Sequence, residues 1–154
     1  DVPGAFEVIR GGDVISYVGF NVALRPWVEK NGATIEKFLA AVSEADQWMR
    51  ANPKAAAQVA TRWIPGLKQD VAEAAMQFNI QQADRRLSIN NYKALWSAED
   101  RLNRLGLIKS TFDVNKHIEP KHILKVMKDH PRLFSDLPTI PANAMIGPGY
   151  VFKP

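Results

Sequence analysis

The sequence has no cysteine. Disulfides, thiolate nucleophiles and thiolate metal sites are therefore excluded. No run comes near the roughly 18 consecutive apolar residues that a membrane-spanning helix needs. The start, Asp1-Val2-Pro3-Gly4, has neither a basic n-region nor an apolar h-region, so any export signal is expected upstream of it. The common catalytic signatures are missing too: G-x-S-x-G, a glycine-rich phosphate loop and H-E-x-x-H. Histidine is scarce, at His117, His122 and His130. Those spacings put no two rings on one helix face, and no metal site is expected.

What remains is ordinary for a folded chain. There are 154 residues, 46% hydrophobic and 23% charged, enough for one domain, or one domain and part of another, with a real core. The net charge of +4 is uneven. Residues 1–80 carry 8 Lys+Arg against 9 Asp+Glu, and residues 81–154 carry 12 against 7. A basic half can face nucleic acid. Here the cations are scattered and not interleaved with aromatics, which favours a solvated helix face over a nucleic-acid surface.

The first 25 residues read as strands. Ala5-Phe6-Glu7-Val8-Ile9 is a short β-rich run closed by Gly11-Gly12. Residues 14–24 are long, β-branched, aromatic and apolar on both faces, as in a buried central strand. Gly19 marks a bulge or a close approach to the backbone. After Pro26 the pattern turns helical. Ile35, Phe38, Leu39, Val42, Ala45 and Met49 keep the rhythm of one buried helix face. Asn52-Pro53 opens a second helix, running to about Trp63 and stopped by Pro65-Gly66. A third spans about Asp70 to Phe78. Ser88 is placed to N-cap a fourth, with Gly106 at its C′ position. Glu119-Pro120 opens a fifth, ending before His130-Pro131. The proline- and glycine-rich residues 131–154 show no periodicity. Two strands alone cannot bury both faces of a sheet, so the chain reads as the C-terminal part of a larger α/β protein.

Leu24-Arg25-Pro26-Trp27-Val28-Glu29-Lys30-Asn31-Gly32, followed by a helix carrying Val42-Ser43-Glu44-Ala45-Asp46, resembles the solute-binding proteins of ABC importers for aliphatic sulfonates, nitrate and taurine. The Asn-Pro-x-x-Ala-Ala start at residue 52 and the region 79–106 are similar as well, and the likeness covers roughly residues 6–130. The resemblance implies an α/β architecture: the helix-rich C-terminal part of a type II periplasmic-binding-protein fold. Residues 1–25 would be the end of lobe two and the returning hinge strand. Residues 26–130 would be helices packed on lobe one, and 131–154 an extended tail.

The resemblance also implies a binding protein, not an enzyme. It would be periplasmic, without cofactor or metal, and would deliver a small anionic solute to a permease of the inner membrane by closing two lobes. On the hinge strand, Ser16, Tyr17, Gly19, Phe20 and Asn21 are the candidate ligand contacts. A hydroxyl, backbone N–H groups and an amide suit an oxyanion, and an aromatic ring suits its organic part. Asp84-Arg85-Arg86 is either an anion clamp or, on the simpler reading, an internal ion pair with arginines lying over apolar surface. The other function open to the sequence is a helical interaction domain whose basic half binds nucleic acid or an acidic protein. Strand 14–24 and the apolar residues of the tail are expected to drive self-association.

Overall fold

The computed structural model describes residues 19–154. Among them are six α-helices and no strand: α1 (Arg25–Lys30), α2 (Gly32–Ala51), α3 (Pro53–Trp63), α4 (Gln69–Gln82), α5 (Ile89–Arg104) and α6 (Lys121–Asp129), with short 3-10 turns at Val114–Lys116, Pro131–Phe134 and Ala142–Ala144. The expected α/β class is therefore overturned for the described residues. Of the expected strands, Ala5–Ile9 and residues 14–18 lie outside them. Residues 19–24 have no strand partner among the described residues, and Val22 and Leu24 are 90% and 79% exposed, the reverse of a buried central strand. β-propensity reports fit to a pleated, half-buried surface, and no neighbouring strand supplies that surface here.

The helix signals hold up better. Pro53 occupies the first turn of α3, where its missing N–H costs nothing. Ser88 caps α5 reciprocally: its Oγ accepts from the Asn90 N–H, and Asn91 Oδ1 accepts from the Ser88 N–H at 2.7 Å. Gly106, at φ +69°, closes α5 in a left-handed turn. Its N–H donates to the Asn103 carbonyl, and Leu107 N–H donates to the Leu102 carbonyl, both at 2.9 Å. Helix α4 runs beyond the expected Phe78 to Gln82.

The core is divided among three apolar clusters. Small residues let α3 and α4 approach closely: Ala56, Ala57, Ala72 and Met76 are buried, and Met49 of α2 packs against them. Ile123 and Val126 of α6 meet Phe134, with Leu39 and Ala40 of α2 against them. Tyr92 of α5, 1% exposed, gathers Val114, Ile118, Ile146 and Phe152. The tail expected to need neighbouring structure is thus folded on its own chain. Asn115 fixes it there, accepting from the Phe152 N–H at 2.7 Å and donating to the Phe152 carbonyl at 3.0 Å.

Helix α2 departs in part from its expected orientation. Ile35, Leu39, Val42 and Met49 are half-buried as expected, but Phe38 and Ala45 are exposed. The inner face is centred on Ser43 and Asp46, each 2% exposed. For Asp46 a polar partner from a distant segment, described next, makes that possible.

Candidate functional site

The densest polar chemistry among the described residues lies where α2 meets the loop after α4 and the turn after α6. Asp46 and Arg50 are one helical turn apart on α2 and so share a face. Asp46 accepts two hydrogen bonds from Arg85, from Nε at 2.5 Å and Nη2 at 3.2 Å. The Asp46 side chain is 3% exposed and that of Arg85 39%. The bonds to Asp46 hold the Arg85 pKa above its ordinary value, against the opposing effect of burial.

Arg50 works alongside this pair. It donates to Asp136 from Nε at 2.7 Å and Nη2 at 3.0 Å, and to the carbonyls of Ala83 and Leu133. It holds the Asp136 carboxyl below the usual carboxylate range. Gln47 adds a bond to the Arg132 carbonyl at 2.8 Å. Two segments far apart in sequence, residues 83–85 and 132–136, are stapled to one face of α2. The Ser43 hydroxyl is buried among them without a hydrogen-bond partner. The space between Ser43, Asp46, Arg50, Arg85 and Phe134 has no room for a water-sized group. This cluster is a joint, not a ligand site.

The neighbouring concavity is larger. An open groove of about 270 Å³ separates the loop 84–90 from the segment 137–144. Gln81, Asp84, Arg86, Ser88 and Asn90 form one wall; Leu137, Ile140 and Pro141 lie on the other. Arg86 is committed within it. Its guanidinium donates to Asp84 three times, at 2.7 to 3.1 Å, and to the Pro138 carbonyl at 2.8 Å, and its side chain is 10% exposed. Asp84 therefore pairs internally, and Arg85 and Arg86 point to different partners. They do not form an anion clamp.

The described hinge-strand candidates line neither concavity. Ser16 and Tyr17 lie outside the described residues. Gly19, Phe20 and Asn21 are exposed, and open space surrounds the position a Cβ would take at Gly19. The histidines are apart. His117 meets the Phe112 ring edge-on, and His130 follows the last residue of α6. His122, 7% exposed, places Nδ1 3.1 Å from a Glu36 oxygen, with its ring against Gly32.

Sequence reasoning named Ser43 and Asp46 only as part of a family-like run and missed Arg50 and Asp136. The i, i+3 and i, i+4 spacings of Ser43, Asp46 and Arg50 were the available signal, and nothing local names Arg85 or Asp136 as partners. No family model, no curated protein and no solved structure matches this chain.

Proposed function

We propose that the chain is the C-terminal portion of the substrate-binding component of an ABC importer for a small anionic solute such as a sulfonate, nitrate or taurine. It works by binding and does no chemistry. The observation that carries the reading is the Asp46–Arg85 pair. The Ser43–Asp46 run and the region 79–106 are two separate parts of the family resemblance, and a part-buried bidentate bond joins them across 39 residues of chain. Segments that share a spacing with one family and also meet in space favour one architecture over chance likeness. The described residues then supply a stapled helical scaffold, and the groove arginine, held by Asp84 and Pro138, adds no open anion site. The fold expected with this function is not carried along, since the described residues hold no sheet.

The test is a thermal-shift screen of the full-length protein against taurine, alkane sulfonates and nitrate, with uptake of the same solutes measured in a strain lacking the gene. A ligand that binds only the native state at about 100 times its Kd adds about 2.7 kcal/mol of stability. Saturable stabilisation by one anion, with loss of its uptake, supports the reading. No stabilisation and unchanged uptake of every solute would remove it.

A further inference from the structure

The turn that closes α5 has features the scaffold does not use. Leu105 and Leu107 are 65% and 70% exposed, on either side of Gly106, whose surroundings are open. Arg101, Arg104 and Lys109 flank them, all exposed, and residues 101–112 contain no carboxylate. Arg104 pairs with Asp100 one turn back, yet keeps a side chain 75% exposed. The turn is stiff. The two backbone bonds around Gly106 fix its near side, Asn103 Nδ2 donates to the Ile108 carbonyl, and buried Glu99 accepts the Phe112 N–H at 3.0 Å to fix its far side.

Arginines in the last turn of a helix have an ordinary reason, the negative end of its dipole. That effect fades beyond the last turn and does not reach Lys109. It gives no reason for two leucines to stand in water on a rigid, convex tip. Single exposed leucines are common; a leucine pair ringed by cations is the pattern of a membrane-interface contact.

We infer that this tip, Leu105-Gly106-Leu107 with Arg101, Arg104 and Lys109, docks on an anionic lipid surface, with the leucines entering the headgroup boundary and the cations facing lipid phosphates. Charge complementarity selects the partner. Protein hot spots favour Trp, Tyr and Arg in pockets, and leucine is under-represented there. Single-stranded nucleic acid would call for stacking aromatics, which the tip lacks. Two leucines and three cations give weak, reversible attachment, with a partition constant on the order of 10³–10⁴ M⁻¹. The inference does not depend on the importer reading.

Flotation of the full chain with vesicles tests it. Vesicles of phosphatidylcholine containing about one-third phosphatidylglycerol should carry the protein, neutral phosphatidylcholine vesicles should not, and about 0.5 M salt should release it. L105S/L107S and R101Q/K109Q should each weaken binding about tenfold, with unchanged near-UV circular dichroism, because these side chains are exposed. Equal binding to neutral vesicles, absence of binding, or wild-type affinity in L105S/L107S would each overturn the assignment. So would retention on polyglutamate beads without vesicle binding, which would move the tip to an acidic protein surface.

Discussion

Replacing Arg85 with alanine probes the joint on α2 most directly. It removes both hydrogen bonds to Asp46 and leaves a carboxylate whose side chain is only 3% exposed. Removing one partner of a buried pair costs about 3–5 kcal/mol, because the remaining charge is uncompensated. Arg85 is 39% exposed, so the rim of the site is wet, and we expect the low end, about 3 kcal/mol. The reverse change is milder. In D46A, Arg85 can swing its guanidinium into solvent, and the loss falls to about 1–2 kcal/mol. The asymmetry is the prediction: R85A is worse than D46A, and D46A/R85A is close to D46A alone. Urea titration followed by tryptophan fluorescence measures all three without the charge screening that guanidinium brings. A loss below about 1 kcal/mol in R85A, or a larger loss in D46A, would show that Asp46 is not held by this pair.

Three further outcomes follow from particular contacts. Arg50 depresses the Asp136 pKa, so the stability this pair adds is fully present above about pH 4, the unfolded carboxylate value, and is lost as pH falls through the lower folded value. The gap between wild type and D136N should therefore close as pH falls below about 4, and a gap constant with pH would refute the pairing. A Cβ at Gly32 would stand 3.0 Å from His122 Cε1, and that ring is buried and bonded to Glu36. G32A should cost about 1 kcal/mol in wild type and little in an H122A background, as measured by a double-mutant cycle. Tyr92 meets the rings of Tyr150 and Phe152 at 5.2 and 6.0 Å. Y92A should cost about 3–5 kcal/mol and expose the chain beyond Ala144 to limited proteolysis, and a protected tail would show that its anchor lies elsewhere.

The helix boundaries were legible because they rest on local chemistry. Proline at the start of α3, the Ser88 cap and the left-handed Gly106 each act within a few residues, and a sequence shows such neighbours directly. The expected strand 14–24 failed over residues 19–24 for the opposite reason. A strand is defined by its partner, and apolar residues such as Val22 and Leu24 carry no record of whether one is present. Of the five hinge-strand candidates, Gly19, Phe20 and Asn21 are without the expected strand setting, and Ser16 and Tyr17 lie outside the described residues.

Helix α2 shows where apolar counting itself breaks down. Its inner face buries Ser43 and Asp46, while Phe38 and Trp48 on other sides are 50% and 44% exposed. Transfer free energies alone would bring Phe38 further inward. Burying Asp46 costs little because Arg85 pairs with it, and Gln47 and Arg50 beside it bond Ala83 and residues 132–136, while the buried Ser43 hydroxyl stays unpaired. The orientation of α2 is thus set by long-range hydrogen bonds, and its aromatics are exposed as a consequence. Such a helix can be found in sequence but not oriented from it. The same bonds pin both edges of the groove beside Arg86, since Arg50 holds Ala83 and Asp136 while Arg86 holds Pro138. Loosening Arg50 should therefore reshape a concavity that Arg50 does not line.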